Sequence, residues 1–321
     1  MQRLWQSESS FLVAALAALA LSPLAWRFAH LVGAMDQPDE RRKHPHPTPR
    51  CGGLAILLAF WLGVGAAALL DTGFLTRPTW GILLGATAIS LMGLADDIRS
   101  LPVGLRLGIQ VVVALAVVWG FDVQFAVLTR YGGNGPYIYL HWLSIPVSVL
   151  WIVGLTNAFN WMDGLDGLAA GIAALAGITL VLMAAANPGL GGSLVVVVLA
   201  AALAGAAIGF LRYNFSPAWL FMGDSGSMFL GFVLACVAVV GAFKKATLGI
   251  LVPPLAFAVP IYDALSTVWI RWRSGQPVHA ADRRNVHYRL LDRGLSQERV
   301  VYLLYAATAV CCVVALLFVV H

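Results

Sequence analysis

The run GSLVVVVLAAALAGAAIGFL, from Gly192 to Leu211, holds twenty residues and not one charge. A helix rises about 1.5 Å per residue, so this run is long enough to cross the roughly 30 Å hydrocarbon core of a bilayer. Hydropathy and turn residues set nine similar runs around it, at about 11–33, 52–71, 79–95, 103–121, 142–160, 166–186, 226–243, 247–270 and 299–320. The whole chain has 321 residues, 60% of them apolar, with 20 basic and 15 acidic side chains. A soluble domain is about one quarter charged, and this chain has too few charges to coat a wet surface. A soluble enzyme, a secreted disulfide scaffold and a disordered chain are thereby excluded. The sequence predicts an all-α polytopic integral membrane protein of about ten transmembrane helices, forming one domain over 1–321. The first run is longer than a signal-peptide core and lacks its basic flank, so it is expected to be a retained helix.

Ten spans place both termini on one side, and the basic residues say which. Fifteen lie on one face: Arg27, Arg41, Arg42, Lys43, Arg50, Arg99, Arg106, Arg212 and seven arginines from Arg271 to Arg299. Arg3, Arg77, Arg130, Lys244 and Lys245 fall on the other. The positive-inside rule makes the rich face cytoplasmic and both termini exterior, with Lys244–Lys245 as the local objection. The cytoplasmic loops then fall at about 34–51, 96–102, 157–166, 212–225 and 271–298. No basic arm suits nucleic acid, and no cysteine spacing suggests zinc or a disulfide framework. Trp5, Trp26, Trp80, Trp142, Trp161, Trp219 and Trp272 lie near span ends, where indole rings anchor at headgroups. Gly81–Gly85 and Gly205–Gly209 read as helix-packing pairs.

Eleven of the fifteen acids fall at the cytoplasmic face, and five of these occupy charge-poor sequence: Asp96, Asp97, Asp163, Asp166 and Asp224. An acid beside hydrocarbon is costly and marks a candidate site. Asp96 and Asp97 end the third span in Gly93-Leu-Ala-Asp-Asp-Ile-Arg-Ser. Adjacent carboxylates repel unless a cation neutralises them, which suits a magnesium ligand or a poised general base. In Asn157-Ala-Phe-Asn-Trp-Met-Asp-Gly-Leu-Asp-Gly-Leu-Ala, polar groups recur at 157, 160, 163 and 166, on neighbouring helical faces. Two amides and two carboxylates so placed can hold a sugar–phosphate and its metal. Asn214-Phe-Ser-Pro-Ala-Trp-Leu-Phe-Met-Gly-Asp-Ser-Gly-Ser sets Asp224, Ser225 and Ser227 at the start of an apolar helix, to cap it or bind an anion.

Two basic segments complete this face. One runs from Asp36 to Gly53 and carries Lys43, His44 and Arg50; the other runs from Asp282 to Ser296 and carries Arg283, Arg284, His287 and Arg289. Arginine forks suit phosphate oxygens, although anionic lipid headgroups would attract the same charges. No Walker, zinc-protease or dinucleotide motif occurs. Acids ready for magnesium, cations ready for phosphate and an apolar body together suggest phosphoryl chemistry at a bilayer surface. Lipid phosphate oxygen would attack the phosphorus next to the sugar of a nucleotide-activated substrate.

In family order the chain carries D-x-P-x-x-R from Asp36, P-R-x-G-G from Pro49, G-x-x-D-D from Gly93, the Asn157–Ala169 string, the Asn214–Ser227 string and a late basic His loop. With this ordered set it resembles, over nearly its whole length, the polyprenyl-phosphate N-acetylhexosamine-1-phosphate transferases of the glycosyltransferase 4 type. These include the lipid I synthase and the initiators of O-antigen, common antigen and teichoic acid linkage. The resemblance implies transfer of a sugar-1-phosphate from a UDP-sugar to undecaprenyl phosphate, releasing UMP and initiating an envelope glycan such as O-antigen. It implies magnesium, with manganese as a substitute, the bacterial inner membrane and a homodimer. It assigns Asp224, with Asp97, to the metal, and Asp96 and Asp97 to binding or deprotonating the lipid phosphate. Asn157, Asn160, Asp163, Asp166 and Asn214 become the nucleotide and diphosphate wall, with Asp163 and Asp166 among the catalytic acids. Lys43, His44, Arg50, Arg283, His287 and Arg289 are expected on the substrates. One departure stands out. The teichoic and O-antigen branch shows H-x-H-H in its late loop, whereas Asn285-Val-His-Tyr keeps only His287, so the loop expected to read the sugar is altered.

Two rivals belong to other classes. An intramembrane aspartyl protease would pair Asp263, after Tyr262, with Asp224, but its motifs come in the opposite order. A lipid-phosphate or ion transporter would place acids near mid-membrane, where only Asp263 qualifies.

Overall fold

The computed structural model describes residues 2–37, 47–125, 127–128, 138–186, 193–241, 252–277 and 283–320. Among them, nine helices are long and apolar enough to cross a membrane. They are α1 (Gln2–Val32), α2 (Gly52–Leu70), α3 (Arg77–Arg99), α4 (Val103–Gly120), α5 (Ser144–Met162), α6 (Leu168–Ala186), α7 (Ser193–Asn214), α8 (Gly223–Val240) and α12 (Gln297–Val320). The expected run at 247–270 takes another form. Its described part is two shorter helices, α9 (Val252–Ala256) and α10 (Ala258–Arg273), which break at Phe257. Pro260 explains the break, because it has no N–H to return to the carbonyl of Ala256. The last loop also contains a helix of its own, α11 (Val286–Asp292). The chain is thus an all-α multi-pass membrane protein. Two short antiparallel ladders complete it: β1 (Met35–Asp36) with β2 (Thr48–Pro49), and β3 (Val127–Leu128) with β4 (Ile138–Tyr139).

Helix α8 is the axis of the bundle, packed against α2, α3, α5, α6 and α7. Every residue from Gly223 to Val239 is buried except Asp224. Lipid tails are as apolar as Leu, so burial alone does not hold such helices together; close backbone approach must. Gly205 and Gly209 of α7 allow it, since a Cβ at either would lie 2.2 Å from a carbonyl oxygen of α1, at Phe11 or Ala15. Polar groups buried in α1 find backbone acceptors, with Ser10 donating to the Val198 carbonyl at 3.1 Å and Gln6 to that of Asp71 at 3.2 Å. These bonds extend α1 nine residues before the apolar run begins.

The outer helices show one buried stripe each. In α4 the buried residues are Gln110, Ala114, Val117 and Val118, spaced as one helical face, while Leu105, Leu107, Val112, Leu115 and Trp119 are exposed. Trp5, Trp80, Trp142, Trp219 and Trp272 are likewise exposed. Trp161 departs from the expected lipid anchor: the Arg271 guanidinium lies over its ring, 5.1 Å from the centroid.

Several loop boundaries shift. Asp96 and Asp97 lie inside α3, which runs to Arg99, and Asn157 and Asn160 lie inside α5. Hydropathy ended α3 early because it scores the polar side chains and not the backbone bonds beneath them, whereas for α5 the run to 160 holds and the loop begins later than 157. Lys43, His44, Lys244, Lys245 and Asp282 lie outside the described residues.

Candidate active site

The first turn of α8 organises one end of the bundle. Its leading N–H groups have no partner within the helix and carry the positive end of the helix dipole. Asp97 of α3 supplies the acceptor. Its Oδ1 takes the Asp224 N–H at 2.9 Å and its Oδ2 takes the Ser225 N–H at 3.1 Å. The turn before it needs glycine twice over: Gly223 has φ +70°, and a Cβ there would lie 2.4 Å from Asp97 Oδ2. Loop backbone pairing fixes the neighbouring arginine. Phe221 N–H donates to the Pro49 carbonyl at 2.8 Å, and Gly52 and Gly53 N–H donate to those of Phe221 and Met222 at 2.9 and 2.8 Å. Arg50 is held between them and reaches Asp97 at 3.0 Å, Asp36 at 3.4 Å and Asp224 at 3.8 Å. Burial opposes its charge, but Asp97, Asp224, Asp36 and Asp163 outweigh that and hold the guanidinium's pKa above its usual value.

A second arginine, Arg106 of α4, bridges the other side. Its Nη1 donates to Asp96 Oδ2 and, at 2.8 Å, to Asp224 Oδ2. Asp96 Oδ1 also accepts the Leu101 N–H, which closes the turn after α3. Asn160 donates through Nδ2 to Asp224 Oδ1 at 2.9 Å and to Ser227 Oγ at 3.1 Å. One turn earlier, Asn157 donates to the buried Gln110 Oε1 at 2.6 Å. Asp96, Asp97, Asp224, Arg50, Arg106 and Asn160 therefore form one cluster. Asp224 stands in the middle with its carboxylate partly open.

Other expected residues take different places. Asp166 Oδ2 accepts the Ala218 N–H at 3.0 Å. Asn214 accepts the Gly167 N–H and donates to the Leu220 carbonyl, both at 3.1 Å. These two side chains tie the 163–167 turn to the loop before α8. His287 lies against that turn, and a Cβ on Gly164 would be 2.3 Å from its Nε2. Neither ring nitrogen has a hydrogen-bond partner among the described residues. Burial, helped by Arg283, pushes its pKa down to about 3, so the ring is neutral. Arg283 lies over the Tyr288 ring, 5.0 Å from the centroid, and pairs with Asp292 at 3.3 Å. Arg289 turns away to donate to Ser266 Oγ at 2.9 Å.

Arg106 and Gln110 were not among the expected site residues. Arg106 counted only as a topological charge, yet it lies four residues before buried Gln110, which puts it on the inward face of α4. Among the described residues, Asp263 and Asp224 share no partner. The first is bonded to Asn285 and Val286, the second to Asn160, Arg50 and Arg106. That separates the two acids an aspartyl protease would have to pair.

Fold and site together define a multi-pass membrane protein with an aspartate–arginine centre at the end of its bundle. Comparison with known proteins places it further. The model of glycosyl transferase family 4 matches residues 79–242, the stretch that carries Asp96, Asp97, Arg106, Asn160 and Asp224. The chain belongs to glycosyl transferase family 4. It is 36% identical over 310 residues to the probable undecaprenyl-phosphate N-acetylglucosaminyl 1-phosphate transferase of Bacillus subtilis, covering 95% of this chain and 82% of that one. It is 34% identical to the decaprenyl-phosphate N-acetylglucosaminephosphotransferase of Mycobacterium tuberculosis, over 86% of this chain and 74% of that one. The phospho-N-acetylmuramoyl-pentapeptide-transferase of Heliobacterium modesticaldum is 32% identical, over 82% of this chain and 81% of that one.

Proposed function

We propose that this protein transfers an N-acetylhexosamine-1-phosphate from a UDP-sugar to undecaprenyl phosphate, releasing UMP and starting a cell-envelope glycan. The observation that carries this reading is the junction of Asp96, Asp97 and Asp224 with Arg50 and Arg106 at the end of an apolar bundle. The names of the relatives support polyprenyl phosphate as acceptor and make UDP-N-acetylglucosamine the first donor to try. On this reading the basic face is the cytoplasmic side of the bacterial inner membrane, both termini lie outside, and a homodimer is the candidate assembly.

Arg50 and Arg106 are the groups that bind the diphosphate. Each guanidinium offers several N–H donors, so it can keep a carboxylate while bonding phosphate oxygens. Asp97 has both oxygens engaged by the first amides of α8 and serves to hold Asp224 in place. Asp96, next to Arg106, is the acid positioned to meet the lipid phosphate and take its proton. An oxygen of that phosphate then forms a bond to the phosphorus bearing the sugar, and the bond from that phosphorus to the UMP oxygen breaks.

Magnesium is part of the proposal. It is usually held by one or two carboxylates plus substrate phosphate oxygens, and not by a complete protein cage. The described residues fit that pattern. They contain no group of three His, Cys, Asp or Glu arranged to hold a metal, but Asp96 and Asp224 already share one cation, Arg106. Asp224, the more open of the two, would hold the ion together with substrate phosphate oxygens, in place of the Asp97–Asp224 pair that the family resemblance implies. When bound, the ion supplies positive charge to the diphosphate and the departing UMP.

The test supplies purified protein with undecaprenyl phosphate, magnesium and a panel of UDP-N-acetylhexosamines, and measures UMP release. Turnover with at least one sugar, lost in EDTA and regained with magnesium or manganese, is expected. Counterflow of a lipid or ion with no turnover on any sugar would overturn the reading.

A further inference from the structure

Helix α10 turns a polar face inward. Its buried residues are Pro260, Asp263, Thr267 and Arg271, while Tyr262, Leu265, Trp269 and Trp272 are exposed. The segment Arg284–Arg289 lies along that face. Asp263, 1% exposed, accepts Asn285 Nδ2 at 2.7 Å through Oδ2 and the Val286 N–H through Oδ1. One turn on, Arg289 bonds Ser266. Further along, Arg284 donates to the Ile270 carbonyl at 3.2 Å and to Ser274 Oγ at 2.7 Å. The residue directly after this junction is His287, fully buried against Gly164 with both ring nitrogens unpartnered among the described residues.

A buried carboxylate is costly to keep unless its oxygens are satisfied. Both oxygens of Asp263 are satisfied by a segment 22 and 23 residues downstream. Such an acid anchors the start of α11, whose Val286, Leu290 and Leu291 also pack against the core. The loop's position in turn decides where the His287 ring meets the 163–167 turn.

We propose that Asp263 is a positioning residue: by holding Asn285 and Val286 it sets His287 against Gly164, and so governs recognition of the nucleotide-activated sugar and not of the lipid phosphate. This rests on the transferase reading above and on the family resemblance, which assigns the His287 loop to the sugar.

Asp263→Asn keeps the shape of the side chain but offers one acceptor where two donors arrive. Its N–H₂ then faces a donor. In full-length protein in lipid nanodiscs, the KM for UDP-N-acetylglucosamine is expected to rise about tenfold or more, as loss of a bond to a charged group predicts. The KM for undecaprenyl phosphate should stay within about twofold of wild type. The exchange D263N/N285D moves the carboxylate to the loop and the amide to α10. The amide then donates to the carboxylate and still accepts the Val286 N–H, so most of the donor affinity should return. Asn285→Ala removes one bond from the loop side without touching α10, for a smaller rise of about threefold to tenfold.

A second measurement needs no turnover. Tryptic cleavage after Arg284 and Arg289 should be faster in D263N and slow again in the exchange. An unchanged donor KM in both single variants, or equal rises in the two KM values, would overturn the proposal. If wild type turns over no UDP-sugar, the transferase reading fails. The cleavage rates then decide on Asp263 alone, and equal rates in wild type and D263N would remove it.

Discussion

Asp97 and Asp224 are both buried-site aspartates, yet their replacement should have unequal effects on stability. The Asp97 side chain has 0% exposure and accepts two backbone N–H groups of α8, at 2.9 and 3.1 Å, together with Arg50 at 3.0 Å. Asp97→Asn keeps one acceptor oxygen, turns an N–H₂ toward the other backbone N–H, and leaves Arg50 short of a partner. A hydrogen bond to a charged group contributes about 1.5–3 kcal/mol, and breaking a buried pair from one side costs about 3–5 kcal/mol. The loss should therefore be about 3 kcal/mol or more, enough to lower an apparent Tm by several degrees. Among the described residues the Asp224 carboxylate bonds only side chains; it is partly open, and the cluster sets three acids against two arginines. Asp224→Asn removes one of three mutually repelling charges but also weakens two arginine pairs at a partly open site, so its Tm should fall less than that of Asp97→Asn. Both variants should lose UMP release by a factor of about a hundred or more, because Asp97 holds the turn that presents Asp224. The assay pairs thermal unfolding of purified protein, followed by size-exclusion fluorescence, with UMP release at saturating substrates. An Asp97→Asn protein that melts like wild type would refute the capping role, whatever its activity.

Three further outcomes follow from the same geometry. Arg106→Lys should fail to restore the activity lost in Arg106→Ala, roughly a hundredfold in UMP release, because an ammonium that takes over the Nη1 bridge between Asp96 and Asp224 lacks the Nη2 and Nε donors left over for the diphosphate. Gly164→Ala would place a Cβ 2.3 Å from His287 Nε2; it should raise the KM for the UDP-sugar and leave that for the lipid phosphate unchanged. His287 supplies a pH test. Its pKa is depressed from 6.5 to about 3 in the fold, so the unfolded chain binds the extra proton between those values and stability falls as pH drops through that window. A His287→Gln protein should lose less stability than wild type between pH 6.5 and 4, measured by apparent Tm, and equal losses would show that the ring is not held neutral.

Much of the site was legible because chemistry of this kind concentrates charge in a chain that has little. Asp96, Asp97, Asn160 and Asp224 stood out as polar groups at the ends of apolar runs, and the structure gathers them. Arg106 did not stand out, since a lone arginine at a span end reads equally well as a topology signal. Only the inward stripe of α4 through Gln110 reveals its direction. Asp166 and Asn214 carried the same sequence signal as Asp224, and in the structure they bond the 163–167 turn and the loop before α8 to each other. The break at Phe257 was masked by hydropathy, which counts Pro253, Pro254 and Pro260 as tolerable in an apolar run and takes no account of missing N–H groups.

The sequence by itself determined that the chain lives in a membrane, how nearly every span is placed, and which end of the bundle gathers the acids. Those are properties of composition along the chain, and the bilayer reads them one segment at a time. What each acid does was decided only by the tertiary structure. A carboxylate has the same chemistry at 96, 97, 166, 224 and 263, and its role depends on which N–H groups and guanidinium forks fold against its lone pairs. Asp97 meets the amides of α8, Asp166 meets a loop, Asp263 meets Asn285 and Val286, and Asp224 keeps the open position between two arginines.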